Sequence, residues 1–257
     1  MIDLISIDPT KQDMHMHTTF CDGKDSPEDM ILSAIDKGLQ RVGVSFHSVT
    51  KLNKGKYVSI EKEQAFRETM QTLKAKYKDK IEVLCGIELD YYTIETSGGF
   101  DYIIGSVHQL NVNGKCYQLD TSKKTFIDLV KEAFNGDYYA CAEEYYKRVA
   151  DVVNKTNCDF IGHIDLITKF NKDQNLFDQN HPRYVNAWKD AVDKLVGFGV
   201  PFEINSGAIS RGYQDIPYPM PPVLDYIKKK GGKLILSSDS HAKENVAYQY
   251  DKWKCLL

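Results

Sequence analysis

The order of apolar and polar segments predicts an α/β fold in which parallel strands form a barrel and helices pack outside it. Seven short apolar runs alternate with longer amphipathic segments, at residues 12–17, 41–47, 82–88, 101–108, 158–163, 200–205 and 233–239. Strands that alternate with helices pair in parallel. A (β/α) barrel is therefore expected, with its functional groups at the C-terminal ends of the strands.

Helix signals lie between the predicted strands. Ser26 and Pro27 begin the first helix, because Ser caps the first turn, Pro fits its first position, and the acids that follow suit the helix dipole. Residues 60–77 and 140–153 are predicted to be helices as well, the second because its apolar residues repeat at helical spacing. The irregular segments are expected to be loops at the mouth of the barrel, at 48–59, 109–122 and 207–222.

Composition indicates one globular domain that spans residues 1–257. An apolar content of 42% and a charged content of 27% allow one barrel or two small domains, and no linker or repeat divides the chain. The 33 Lys and Arg nearly balance the 36 Asp and Glu, which leaves a net charge of −3. No nucleic-acid-binding or membrane-binding surface is therefore expected.

The N-terminal residues and the cysteines bear on the compartment. The N-terminus lacks the basic head and long apolar run of a signal peptide, and no stretch reaches about 18 apolar residues. The six cysteines contain no C-x-x-C pair, so neither a zinc ribbon nor a disulfide framework is indicated. A cytoplasmic protein is expected, while its oligomeric state leaves no signal in the sequence.

The histidines concentrate at the C-terminal ends of the predicted strands. Six of the seven lie there: His15, His17, His47, His108, His163 and His241. Glu88 and Asp239 also end strands, and the turn after the first strand returns Asp22 to the same face. Two imidazoles at i and i+2 of one strand point the same way, so His15 and His17 can bind one ion.

Each of these residues taken alone has an ordinary explanation. A lone His-x-His is more often a polar strand face, and a single strand-end acid is more often a paired group. Nine such residues in register indicate a metal site instead, because buried acids need a cationic partner. His181 lies outside the set, since Asn180-His181-Pro182 is typical of a helix start. No nucleophile motif or Gly-rich phosphate loop is present, which argues against a covalent nucleophile and a nucleotide triphosphatase.

The set resembles the PHP (polymerase and histidinol phosphatase) family over nearly the whole chain. The resemblance rests on His15-x-His17, Asp22-Gly23, His47, Glu88, His108, Gly162-His163 and Asp239-Ser240-His241. It implies a distorted (β/α)7 TIM-like barrel, the PHP fold, that holds three divalent ions, Zn, Mn or Fe. The implied ligand sets are His15, His17, Glu88 and Asp239 for the first ion, Glu88, His108 and His163 for the second, and Asp22, His47 and His241 for the third.

Within that family the sequence is most similar to the PHP-type histidinol-phosphatases. Their motifs are matched by Gly162-His163-Ile164-Asp165, Glu203-Ile204-Asn205-Ser206-Gly207, Ile216-Pro217-Tyr218-Pro219 and Ser238-Asp239-Ser240-His241. The resemblance implies a metal-dependent phosphomonoesterase that hydrolyses L-histidinol phosphate in histidine biosynthesis, with a hydroxide that bridges two ions as the nucleophile. Glu88, Asp239 and His241 are expected to serve catalysis, and Arg211 and Lys169 to bind phosphate.

Two positions depart from the family pattern. Many members carry Asp directly before the strand-two histidine, where this chain has Phe46, so the support of His47 is expected to differ. Arginines commonly face the phosphate in histidinol-phosphatases, and Arg211 fits one of them. The other candidate, Lys169, can neutralise phosphate but cannot form a two-pronged contact with it.

Three alternatives stay open on the sequence alone. The substrate of the same chemistry could be phosphotyrosine or a nucleotide phosphate. A binuclear hydrolase of the amidohydrolase type also begins with His-x-His, although His47 and the second Asp-x-His favour a third ion. The third hypothesis is a non-catalytic, metal-stabilised module. The full ligand set argues against it. Tyrosines near the predicted mouth are candidates for a pocket wall: Tyr91, Tyr92, Tyr117, Tyr213 and Tyr218.

Overall fold

The computed structural model describes residues 3, 4 and 6–257. Met1, Ile2 and Ile5, to which the predictions about the N-terminus and the domain extent also apply, lie outside the described residues. The strands are β1 Gln12–Asp13, β2 Arg41–His47, β3 Glu82–Asp90, β4 Tyr102–Ser106, β5 Gln109–Val112, β6 Lys115–Gln118, β7 Phe160–Ile161, β8 Phe202–Asn205 and β9 Leu234–Ser237.

Seven of these strands form one nearly closed barrel, and each of its strand pairs is parallel. Their order around the sheet is β1-β2-β3-β4-β7-β8-β9. A parallel bridge between Met16 and Ser240 brings the first and last strands together, and the amide of His17 donates to the carbonyl of Ser240 over 2.7 Å. The predicted seven-stranded α/β barrel is therefore confirmed.

The first and fifth predicted strands are much shorter as regular ladders than their apolar runs. After Asp13 the chain continues to His17 beside both neighbouring strands, but it makes only isolated contacts, such as the bond from the amide of Ser45 to the carbonyl of Met16. The strand predicted at 158–163 likewise forms a regular ladder only at Phe160–Ile161, after which the amide of Gly162 still donates to the carbonyl of Gly105 over 3.0 Å.

Helices cover the outside of the barrel. They are α1 Pro27–Asp36, α2 Ile60–Tyr77, α3 Lys123–Phe134, α4 Tyr138–Val149, α5 Val152–Thr156, α6 Pro182–Val196, α7 Gly207–Ser210, α8 Pro221–Lys229 and α9 Tyr250–Trp253. The cap at Ser26 and the bounds 60–77 are as predicted, and His181 does cap α6. The helix predicted at 140–153 was wrong in extent, because Asp137 caps an earlier start and Asp151 leaves the helical conformation. Within the described residues, no helix has the length and apolar character to span a bilayer.

Two of the three predicted loops contain regular structure. Residues 109–122 include the antiparallel hairpin of β5 and β6, which turns at Asn113 and Gly114 with φ of 51° and 83°. Asn-Gly is the sequence most suited to such a turn, so the hairpin could be predicted from Asn113 and Gly114. The segment 207–222 contains α7 and the start of α8, whereas 48–59 holds turns and isolated bridges.

The N-terminal half of the barrel interior is filled with side chains. Tyr102 crosses it next to Gly43 and Gly86, where a Cβ atom would overlap with its ring, and its hydroxyl donates to the carbonyl of Met14 over 2.7 Å. Phe160 stacks on the same ring, with centroids 6.0 Å apart. Because this end is closed by packing, polar groups and a cavity are left to the C-terminal end.

Candidate metal centre

The structure brings the nine residues of the predicted metal set together at the C-terminal end of the barrel. Strand ends supply eight of them: His15 and His17 after β1, His47 in β2, Glu88 in β3, His108 after β4, His163 after β7, and Asp239 and His241 after β9. The ninth, Asp22, returns from the turn after His17 and places Oδ1 3.3 Å from Nε2 of His47. Among the described residues, compact clusters of donor atoms include His17, His47 and His241, then His15, Glu88 and His163, and then His15, His17 and Asp239. The division of the nine residues into three ligand groups stays a prediction.

Glu88 stands at the centre of this arrangement. Its side chain is 1% exposed, and neither carboxylate oxygen has a hydrogen-bond partner among the described residues. Five imidazole nitrogens nevertheless surround it: Nδ1 of His47 at 3.0 Å, Nε2 of His163 at 3.0 Å, Nε2 of His108 at 3.1 Å, Nε2 of His17 at 3.3 Å and Nε2 of His15 at 3.4 Å. A buried carboxylate without hydrogen bonds but with many nitrogen neighbours suits a metal ion better than a proton network.

The first group has the spacing of a tetrahedral site. Nε2 of His15 and Nε2 of His17 are 3.1 Å apart, and each lies 3.7 Å from Oδ1 of Asp239. Oε2 of Glu88 completes the set at 3.4 and 3.3 Å from the two histidines. Zinc bonds of about 2.0–2.1 Å put the ligands of a tetrahedral ion roughly 3.3–3.4 Å apart, so these four donors fit one ion.

The other two groups flank the first. On one side, Oε1 of Glu88 faces His108 and His163, while its other oxygen faces the first group. On the other side, Oδ2 of Asp22 lies 3.4 Å from Nε2 of His241, and Oδ1 lies near His47. Because Oε2 of Glu88 also lies 3.0 Å from Nδ1 of His47, the carboxylate contacts residues of each group, and its role as a bridge between the first two groups stays a prediction.

The acids of the site stay ionised because positive groups surround them. Burial by itself raises the pKa of Glu88, but His108, His15 and His47 outweigh it and hold that pKa well below its usual value. Burial likewise raises the pKa of Asp239, and Arg211 and the nearby histidines reverse the effect. The same carboxylates would be neutralised by divalent cations placed between them.

The histidines divide into two kinds. Burial lowers the pKa of His17 to about 3, so this imidazole is neutral and ready to act as a ligand. Burial also lowers the pKa of His15, but Glu203, Glu88 and Asp239 outweigh it and keep that pKa well above its usual value. In the metal-free protein, His15 therefore carries a proton that a bound cation would displace.

Comparison with known proteins gives the family. The sequence profile of the PHP domain matches residues 13–207. The chain belongs to the PHP domain family. The histidinol-phosphatase of Bacillus subtilis is 24% identical to this PHP chain, over 94% of the chain and 97% of its own length. The histidinol-phosphatase of Lactococcus lactis is 24% identical over 90% of the chain and 84% of its own length.

A solved structure shares the fold of this PHP chain. It is the histidinol phosphate phosphatase of Lactococcus lactis in complex with zinc, L-histidinol and phosphate. The two superpose with a TM-score of 0.72 at 21% identity, over 96% of this chain and 92% of that one. The distorted TIM-like PHP barrel expected from the sequence is therefore confirmed.

Two acids outside the predicted set contact candidate ligands of this PHP chain. Oε1 of Glu203, on β8, lies 2.6 Å from Nδ1 of His15, and its other oxygen accepts from the amide of His163 over 2.7 Å. Oδ2 of Asp90, at the end of β3, accepts from the amide of His108 over 2.8 Å and lies 3.2 Å from its Nδ1. Such partners fix the orientation and tautomer of a metal-binding imidazole. Their position as acids on otherwise apolar strands is the feature of the sequence from which such a role could have been predicted.

The two predicted phosphate-binding cations line the same cavity as the metal groups, a space of 430 Å³. Arg211 follows α7 and donates from Nη2 to Oδ2 of Asp239 over 2.8 Å, with Nη1 3.1 Å from Nδ1 of His241. Lys169 is instead nearly buried, and its Nζ donates to the carbonyl of Asp120 over 2.7 Å. The arginine adjoins the metal groups directly, whereas the lysine is tied to a neighbouring loop.

Phe46 and some of the tyrosines singled out in the sequence lie in or near the site. Phe46 packs in the core against Phe66, with ring centroids 5.6 Å apart, so it gives His47 no polar support. Of the five candidate tyrosines, Tyr213 lines the cavity, and Tyr218 is buried below it with its ring 6.3 Å from that of His163. The cavity also has lining residues that the sequence did not single out, among them Lys56, Tyr57, Gln118, Asp120, Thr121 and Leu166.

Proposed function

We propose that this chain is a metal-dependent phosphomonoesterase that hydrolyses L-histidinol phosphate to L-histidinol and phosphate in histidine biosynthesis. The observation that carries the proposal is the buried carboxylate of Glu88, with five imidazole nitrogens around it and Arg211 on the same cavity. Relatives named histidinol-phosphatase match nearly the full length of the chain, which favours this substrate over phosphotyrosine or a nucleotide.

The site suits three divalent ions, Zn, Mn or Fe, in the three groups described above. Mixed imidazole and carboxylate donors fit each of these metals. Bound there, the ions would supply positive charge to the phosphoryl oxygens and lower the pKa of a water molecule. The zinc in the solved Lactococcus lactis relative supports the metal class.

The protein's own side chains would position the phosphate and balance its charge. Arg211 presents its guanidinium on the cavity wall beside Asp239 and His241, where it can hold phosphate oxygens in a two-pronged contact. Glu88, Asp239 and His241 are assigned to catalysis, because they belong to the metal groups and line the same cavity as Arg211. Lys169 adds positive charge further along the same cavity.

We further propose that residues 1–257 act as one cytoplasmic domain. One barrel sheet takes strands from residue 12 to residue 237, which supports a single unit. The six cysteines, all of which are in the described part of the chain, are unpaired, as suits a reducing compartment.

Phosphate release from L-histidinol phosphate tests the substrate. The protein is assayed with and without added Zn or Mn, beside p-nitrophenyl phosphate and phosphotyrosine. A strong preference for L-histidinol phosphate is expected. Equal and weak turnover of the three esters would refute the substrate assignment, and no turnover with metals bound would refute the phosphatase.

Loss of the central carboxylate tests the site. Glu88→Ala is expected to lose metal and phosphatase activity together, since it removes the ligand shared by two groups. Glu132→Ala is the control, because that acid pairs with Lys115 on the protein surface. Full metal content and turnover in Glu88→Ala would overturn the assignment.

A further inference from the structure

One acid of the cavity stands apart from the metal groups. Four carboxylates line the space: Asp22, Glu88, Asp120 and Asp239. Three of them belong to the metal groups, and Asp120 does not. It follows strand β6 of the hairpin, where the amide of Leu119 donates to the carbonyl of His108 over 2.9 Å and so fixes this loop at the cavity. Its side chain is 25% exposed.

The contact with Lys169 leaves this carboxylate with capacity for a second cation. Nζ of Lys169 makes its short bond, 2.7 Å, to the backbone carbonyl of Asp120, whereas the distance to Oδ2 is 3.4 Å. A carboxylate has about four lone-pair sites, so one long contact leaves most of them free. Lys169 is also packed 4.9 Å over the ring of Tyr213, which fixes it on the wall.

Asp120 is an anion at neutral pH. Burial by itself raises the pKa of its carboxyl, but Lys169, His108 and His163 outweigh it and lower that pKa. Tyr57, Tyr213 and Leu166 line the same cavity, which gives the space apolar walls as well as charged ones. The cavity thus offers Arg211 and the metal groups for an anion, and Asp120 for a cation.

We propose that Asp120 binds the cationic nitrogen of the substrate's alcohol part and so selects phosphomonoesters whose leaving group carries an ammonium. The inference rests on the proposed function, because it names how that site recognises its substrate. An ammonium that donates to Asp120 gains a charge-assisted hydrogen bond in a partly desolvated space. An ester without a cationic nitrogen gains nothing from this carboxylate.

The test compares two esters in one variant. Asp120→Asn keeps the backbone carbonyl that holds Lys169 and removes the negative charge. It is expected to lower kcat/KM for L-histidinol phosphate roughly 10- to 100-fold and to leave p-nitrophenyl phosphate within about twofold. Asp215→Asn is the matched control, since that exposed acid pairs with Lys172 away from the cavity. Lys169→Met is expected to lower kcat/KM for both esters by a similar factor.

Binding of L-histidinol alone, measured by calorimetry, separates this inference from the proposed function. Asp120→Asn is expected to weaken that binding by a similar factor. An equal loss on both esters, or no loss on either, would refute the role of Asp120 while the phosphatase stands. Wild-type protein that cleaves neither ester but binds L-histidinol through Asp120 would refute only the phosphatase. Protein that neither cleaves nor binds would refute both.

Discussion

Nδ1 of His15 lies 2.6 Å from Oε1 of Glu203, and both side chains are buried. The contact places a proton between the two atoms and leaves Nε2 of His15 directed at Glu88 and Asp239. The hydroxyl of Ser237 also donates to Oε1 of Glu203, so the carboxylate is itself held. The orientation of His15 is therefore set by a side chain of β8, a strand that is separated from β1 by β9.

Replacement of this carboxylate should weaken metal binding without removing a ligand. Glu203→Gln is expected to lower metal affinity about 10- to 100-fold, because the amide supports the imidazole less well as a ligand. Chelator competition measures the affinity, with Glu82→Gln as a control at the opposite end of the barrel, where that acid pairs with Arg41. Wild-type affinity in Glu203→Gln would show that His15 needs no such partner.

The proximity of the nine candidate ligands could be predicted from the sequence because two simple regularities combine. Apolar runs locate the strands, and the C-terminal ends of parallel strands converge in a barrel. His47 and Glu88 are adjacent in register on β2 and β3, so their proximity follows from the topology alone. His15 and His17, at positions i and i+2 of one strand, are expected on the same face without any knowledge of the topology.

Partners that are set by side-chain geometry could not be predicted in the same way. Glu203 is 188 positions from His15, and Asp120 is 49 positions from Lys169. Each pair forms because of where a strand end or a hairpin loop lies, and charge alone does not choose one acid among 36. The sequence likewise gives no sign that the ammonium group of Lys169, a predicted phosphate ligand, donates to the backbone carbonyl of Asp120.

Arg211 should govern affinity for phosphate more than metal content. Its guanidinium contacts Asp239 and His241, but it is not itself a metal donor. Arg211→Met is expected to lower kcat/KM about 100-fold or more and to weaken inhibition by inorganic phosphate, with the bound metal retained. Arg211→Lys should restore only part of the loss, because an ammonium cannot make the two-pronged contact.

The control for this variant is Arg183→Met, which removes an arginine that pairs with Asp137 and Glu143 on the surface. It should leave the inhibition constant of phosphate unchanged. An unchanged constant in Arg211→Met as well would contradict the assignment of Arg211 to the phosphate.

Metal uptake should release protons, and metal affinity should rise with pH. Burial by itself lowers the pKa of His108, but Glu88 and Asp90 outweigh it and raise that pKa to about 10 in the metal-free protein. Below that pH the imidazole is protonated and must lose its proton to bind a cation, so the affinity increases as pH rises toward about 10. His17, with a pKa of about 3, is already neutral and adds no such effect.

Calorimetric titration with zinc in two buffers of different ionisation enthalpy measures this proton release. The Asp90→Asn variant should release fewer protons, because the pKa of His108 loses one of its supports. Zinc binding with no proton release, or with an affinity that does not change between about pH 6 and pH 8, would contradict the expected protonation of the metal-free site.

The closed end of the barrel should be the part of the fold that tolerates added volume least. A Cβ on Gly86 would overlap with the ring of Tyr102, and that ring cannot move freely because it stacks on Phe160 and donates to the carbonyl of Met14. Gly86→Ala is therefore expected to lower the free energy of unfolding by about 1–3 kcal/mol. Urea unfolding of the metal-free protein measures this without the stabilisation that bound ions add.

In a Tyr102→Ala background, which removes the ring, Gly86→Ala should lower the free energy of unfolding by clearly less, since the two residues interact directly. Equal costs in the two backgrounds would place the strain elsewhere in β3.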